Sequence, residues 1–232
     1  MSILAIRSRT EEQMDAEDLD TETYARVLSD LSRVNRWTFT AHPTLHYLDR
    51  ATRGLTRFRL LDVGFGAGDM LRAIAQWARR RGIEVELVGV DLNPRSAAIA
   101  QAATPPDMAI DYRTGDYRDV PGALDFIISS QVTHHMTDAQ LRSFIDYMEA
   151  TVARGWLISD LHRHRFAHAG FPLLARLMGV HRIVREDGTL SIERSFRPPE
   201  WRAILADAGV APETVTIARR FPFRLCVERL RD

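Results

Sequence analysis

The chain has 232 residues, 45% of them hydrophobic, and its 31 basic and 31 acidic residues leave no net charge. That length supports one domain with a sizeable core and a small appended element, while a dedicated nucleic-acid binder would carry a basic excess that is missing here. All 31 basic residues are arginine and Cys226 is the lone cysteine, which excludes lysine chemistry, an internal disulfide and a cysteine-based zinc cluster. A reducing, cytoplasmic setting is expected. The start of the chain lacks a signal-peptide pattern. No apolar run reaches the roughly 18 residues that cross a bilayer, so stable membrane insertion is not expected.

In chain order, residues 1–20 are polar and acidic and are expected to be mobile at the start. From Thr21, the apolar positions Tyr24, Val27, Leu28, Leu31 and Val34 recur at helical spacing. A second helix follows Pro43, carries Leu45, Leu48 and Ala51, and ends near Gly54. Residues 1–54 thus read as an N-terminal helical cap, and residues 55–232 as the main domain. There "RFRLLDVG" reads as a buried strand, Met70 to Arg81 as a helix stopped by Gly82, and "EVELVGVDL" as a second strand. A helix opens at Pro94; "AIDYRTGD" and "LDFIISS" are the third and fourth strands. A helix from Thr137 to Val152, capped by Thr137 or Asp138, precedes a fifth strand, "RGWLISDL". This alternation predicts an α/β fold whose parallel sheet is covered on both faces. The end differs: a helix from Pro198 to Ala208 is followed by two strands joined at "PF", close enough for an antiparallel hairpin. Residues 163–197 are too long for a crossover and read as a lid, with an apolar helix in "FAHAGFPLLARLMGV" and a polar stretch turning at Asp187–Gly188.

The loop Gly64-Phe65-Gly66-Ala67-Gly68 follows the first strand, at the sheet edge where open α/β folds bind ligands. A phosphate-binding loop would need a lysine. A dinucleotide loop would need a third glycine where Asp69 stands. Asp62 and Asp69 flank the loop and would repel a pyrophosphate. They favour a nucleoside that carries positive charge.

With Asp91 at the tip of the second strand and "TGDY" ending the third, "LLDVGFGAGD" resembles the first motif of class I S-adenosylmethionine-dependent methyltransferases. "DFIISSQVTHHM" is similar to the fourth-strand motif of the small-molecule members. The resemblance covers about residues 55–160 and, by topology, the terminal hairpin. It implies a Rossmann-like doubly wound sheet of order 3-2-1-4-5-7-6 and S-adenosylmethionine as cofactor. The cofactor would lie on Asp62, Gly64, Phe65, Gly66, Gly68 and Asp69, with Asp91 and Leu92 at the ribose and Asp116 and Tyr117 at the adenine. Gln131 follows the fourth strand, and Asn35 and Arg36 are candidates for the cofactor's carboxylate. Asp91 before Pro94 also fits a plain helix cap, and Asp116 a plain turn.

Methyl transfer is an in-line displacement that chiefly needs alignment, and a hydroxyl nucleophile gains from a base. His134 and His135, just past the fourth strand, are the candidate bases, followed by His162 past the fifth. Asp160, His162 and His164 do not complete a metal set, so no metal is expected. The Asn/Asp-Pro-Pro-Tyr tetrapeptide of amino-group methylases is replaced by Ser129-Ser130-Gln131-Val132. The expected reaction is O-methylation of an aromatic small molecule (a phenol, quinol or polyketide) in secondary metabolism. Carbon methylation of a quinol and a non-catalytic cofactor-binding role stay open. Nothing in the residues fixes a monomer or a homodimer.

Overall fold

A computed structural model describes residues 4–16 and 18–231. Seven strands form one sheet of order β3-β2-β1-β4-β5-β7-β6: β1 Arg57–Val63, β2 Glu84–Asp91, β3 Ile110–Thr114, β4 Leu124–Ser130, β5 Val152–Leu161, β6 Val215–Arg220 and β7 Arg224–Leu230. The first five run parallel, and β7 is antiparallel to both β5 and β6. This is the order and the hairpin expected from the sequence.

The central strands are nearly continuous apolar runs because both of their faces are covered. Helices α3 (Asp69–Arg81) and α4 (Pro94–Ala102) pack on one face with α2 (Ala41–Ala51), and α5 (Asp138–Thr151) and α8 (Pro198–Asp207) on the other. Each helix shows the local chemistry that sets its ends. In α3, Met70, Leu71, Ile74, Trp77 and Ala78 are buried at helical spacing, and Gly82 ends the helix with φ of 65°. In α5, Thr137 and Gln140 close a reciprocal capping box.

Three further helices lie over the carboxyl edge of the parallel strands: α1 (Thr21–Trp37), α6 (Arg165–Leu177) and α7 (Arg182–Arg194). Val27 and Val34 of α1 form a separate apolar cluster with Ala175, Val180, Ile183 and Val184. Two expectations are corrected here. The turn expected at Asp187–Gly188 is the interior of α7. A side chain at 188 would strike the Phe171 ring at 2.2 Å, so glycine serves close packing of α6 on α7 rather than a bend. Nor is the start of the chain loose where it is described. Leu4 and Glu12 are buried, the Ser8 amide donates to the Glu193 carbonyl, and Asp187 accepts the amides of Gln13 and Met14. Residues 8–15 form a strap across α7. The expected mobile residues 1–3 and 17 lie outside the described residues.

Candidate active site

The register aligns the polar ends of the strands. Asp62 pairs with Gly89 and Ile128 near the end of β1, Asp91 closes β2, Ser130 closes β4 opposite Ser159, and Asp160 lies opposite Leu225. Arg224, the first residue of β7, therefore reaches the same edge. Above that edge is a cavity of about 1520 Å³, roofed by α1, α6, α7 and the strap. Trp37, Phe39, Phe166, Phe221 and Phe223 line it while remaining solvent-exposed, which makes an aromatic rim.

On the glycine-loop side, Asp62 is buried and neither carboxylate oxygen has a hydrogen-bond partner. Burial, then the nearby charges of Asp69 and Asp91, push its carboxyl up to about 8. Asp91 is fixed by the Gly66 and Asn93 amides, each at 2.9 Å, while burial still raises its pKa. The cap of α4 is Asn93, which accepts from the Arg95 amide, so capping that helix is not the work of Asp91. Asp69 accepts from Asn35 at 3.3 Å and from Ser32 at 3.5 Å. Gly64 and Gly66 have φ of 78° and 53° and line the cavity with Phe65, whereas Gly68 is excluded from that lining. A Cβ on Gly68 would meet the Tyr112 hydroxyl at 2.5 Å, which makes it a packing glycine. Leu92, Asp116 and Tyr117 line the far end of the cavity. Asp116 is engaged there by Arg118, and Tyr117 packs on Phe144 and Tyr147.

The mouth holds a polar relay whose hub, Arg224, the sequence did not single out. Gln131, at the unusual φ of 59°, donates to Asn35 at 2.8 Å and accepts from Arg224. Arg224 also donates to Thr38 and Thr40. It is 2% exposed, its Nε has no partner, and burial lowers its pKa to about 10. Among the described residues it makes no ion pair within 4 Å, so a buried guanidinium borders the cavity with neutral oxygens around it. Arg36, one of the two sequence candidates, is exposed and lies outside the cavity lining. The turn of α1 that carries it directs Asn35, the other, inward instead.

The opposite wall is built on the short 3₁₀ turn Thr133–His135. His134 is buried, with Nδ1 2.7 Å from Asp160 and Nε2 3.5 Å from Glu12. Burial disfavours its charge, but Asp160 and then Glu12 outweigh that and push the imidazole up to about 9. Asp160 accepts in addition from the Thr133 hydroxyl at 2.6 Å and from the Leu161 amide at 2.7 Å. His135 is partly exposed, with Nδ1 2.9 Å from Asp15 and Nε2 3.7 Å from Glu12. Both histidines line the cavity. His162 does not: just past β5 it bridges to Phe196, and burial, then the neighbouring Arg219, His164, Arg197 and Arg163, lower its pKa to about 4. Glu12 and Asp15 were not foreseen. Their one trace in the sequence is an acidic run whose partners lie more than a hundred residues away.

The buried, unpartnered carboxyl of Asp62 fits a ligand ammonium, and Asp91 on a strand tip fits ribose hydroxyls. Residues 60–155 match the family model described as a methyltransferase domain. No curated protein gives a significant match. Among solved structures, the chain is similar to magnesium protoporphyrin IX methyltransferase from Synechocystis PCC 6803 with bound S-adenosylhomocysteine (17% identity, 95% and 91% of the two chains, TM-score 0.55). It is also similar to the plantazolicin methyltransferase BpumL with the same ligand (12%, 91% and 87%, TM-score 0.60). A third similar structure is a methyltransferase from Aquifex aeolicus (16%, 92% and 99%, TM-score 0.59). Residues 60–155 thus match a methyltransferase domain, and the chain as a whole has the fold of S-adenosylmethionine-dependent methyltransferases.

Proposed function

We propose that the chain transfers a methyl group to a hydroxyl oxygen of an aromatic small molecule, of phenol, quinol or polyketide type, in cytoplasmic secondary metabolism. The observation that carries this reading is the cavity itself: an aromatic rim and an apolar roof, opposed by one polar wall of His134, His135 and Glu12. The acceptors named for the similar structures, magnesium protoporphyrin IX and plantazolicin, differ from each other, so the acceptor is read from this cavity.

S-adenosylmethionine supplies an electrophilic methyl on a positively charged sulfur. For it, Asp62 and Asp69 would face the ammonium, and Asp91 the ribose hydroxyls. Arg224 would take the carboxylate in place of Arg36. His134 and His135 receive the acceptor hydroxyl and orient it for in-line attack. His134, held as an imidazolium between two carboxylates, is the weaker proton acceptor of the two, which leaves His135 and Glu12 on the open side.

Incubating the protein with S-adenosylmethionine and a panel of phenols, quinols and aromatic amines tests the reading by mass spectrometry. An O-methyl product from a phenol or quinol, and none from the amines, is the expected result. A carbon-methylated product, or cofactor binding with no turnover of any acceptor, overturns it.

A further inference from the structure

We propose that Glu12, His134 and His135 form a zinc-type divalent-metal site whose fourth ligand is the acceptor's hydroxyl oxygen. The inference rests on the reading that the acceptor is activated at this wall.

Adjacent residues of a 3₁₀ turn normally point about a third of a turn apart. Here the two imidazole rings lie 4.3 Å centroid to centroid, and one ligand atom each from Glu12, His134 and His135 fall within 4.8 Å of one another. The two histidine-to-glutamate separations are 3.5 and 3.7 Å. Ligands about 2.0–2.1 Å from a tetrahedral ion sit about 3.4 Å apart, so small rotations would seat one.

The outer contacts point the same way. Each Nδ1 is committed to a carboxylate, Asp160 for His134 and Asp15 for His135. A metal would displace the Nε2 proton of the His134 imidazolium; a histidine that donates Nδ1–H to a carboxylate then offers its Nε2 lone pair, and that pairing is the usual outer shell of metal-bound imidazole. The Nε2 of His134 is buried without a hydrogen-bond partner, and Glu12 is oriented by the Ser191 hydroxyl at 2.8 Å.

Charge also favours a cation. Glu12, Asp15, Asp160 and Asp187 gather around the cluster, and Arg194 is the one arginine within 4 Å of any of them among the described residues. The three ligand residues line the cavity, so the side left open faces the acceptor. There the hydroxyl proton leaves to solvent through the mouth. The oxygen lone pair then forms the new bond to the methyl carbon, while the carbon–sulfur electron pair stays on sulfur.

The test uses chelator-treated full-length protein, with zinc chloride followed by calorimetry and cobalt chloride by visible absorption. We expect one zinc per chain and tetrahedral-type cobalt bands. Glu12→Gln or His135→Ala should remove the bands. Asp15→Asn, at a half-exposed outer position, should weaken zinc roughly 10–100-fold. Circular dichroism checks that each variant folds. No stoichiometric zinc on the wild-type chain, or binding unchanged in all three variants, overturns the proposal. S-adenosylhomocysteine binding and phenol methylation, measured on the same samples, separate the two readings. Methylation undiminished by chelation leaves the O-methyltransferase reading standing without the metal. Zinc binding with no methylated phenol or quinol leaves the metal site standing without that acceptor class.

Discussion

The glycine-loop wall and the histidine wall face each other across one cavity and are built on opposite plans. The loop wall comes from consecutive elements, β1 through β2, and it leaves Asp62 buried without a partner. The histidine wall is gathered from residues 12–15, 133–135, 160 and 191, and its carboxylates are engaged while the Nε2 of His134 is left without a hydrogen-bond partner. An unpaired buried acid is expensive unless a ligand completes it, so the first wall is unfinished until the cofactor arrives. The second is self-supporting and presents two imidazole edges to whatever enters. On the proposed function, the first wall binds and the second acts on what is bound.

The comparison breaks most completely at Gly66. Its φ of 53° is one a β-branched residue rarely adopts, and the space where a side chain would project is open apart from Leu28 at 3.8 Å. Gly66→Val should abolish S-adenosylhomocysteine binding in calorimetry while circular dichroism shows a folded chain. Normal binding would mean that this loop is not the cofactor's seat.

The next largest effect belongs to the other wall. His135→Gln should lower kcat by roughly a hundredfold or more, with cofactor affinity near wild type. His134→Gln should do more than that. It leaves Asp160 and Glu12 without their shared counter-charge, and breaking a buried pair typically destabilises by about 3–5 kcal/mol. Thermal melts and single-turnover rates on both variants check the contrast; equal melting temperatures would show that the buried network around His134 does not support the fold.

Smaller effects sharpen the loop wall. Asp91→Ala should weaken the cofactor at least roughly tenfold, since charged hydrogen bonds are worth about 1.5–3 kcal/mol each. Part of that loss would come from the freed Gly66 amide. Unchanged affinity would remove Asp91 from the ribose site.

Asp62 predicts a pH dependence. Its folded pKa lies above that of a free aspartate, so the empty chain holds a proton there up to about pH 8. The resulting penalty on stability is absent at low pH and grows as pH rises from about 4 to 8. A cationic ligand favours the ionised form, so affinity should rise from pH 6 towards 8, by up to roughly tenfold per unit. It should flatten as the ligand's own amino group, with a pKa of about 7.7–8.0, begins to lose charge. Asp62→Asn should abolish that rise and, at pH 8, raise the melting temperature of the empty chain by several degrees, at roughly 2–4 °C per kcal/mol. An affinity that is flat across this range in the wild type would show that Asp62 does not meet the ammonium.

What was legible in the sequence follows from how each wall is made. Strand, glycine turn and helix N-terminus are local, so Asp62, the loop and Asp91 could be placed from spacing, and the alternation of elements carried the sheet order. Partnerships across more than a hundred residues leave no such trace. The acidic run with Glu12 and Asp15 reads only as a polar, acidic start, and nothing local marks Arg224 among the 31 arginines. Asp187–Gly188 has the composition of a turn, but Asp187 holds the strap and Gly188 makes room for Phe171, and both serve those ends inside a helix. Of the two α1 candidates, Asn35 lines the cavity and Arg36 lies outside its lining.

The strap has a consequence for how the molecule comes into being. Glu12 is gripped by Ser191, and Thr38 and Thr40 by Arg224. Residues 12–40 therefore wait for residues 191–224 before the pocket has a roof. During synthesis the cradle of β1 and β2 can form while the chamber above it is still open to water. Closure of the chamber therefore depends on β7 having joined the sheet beside β5.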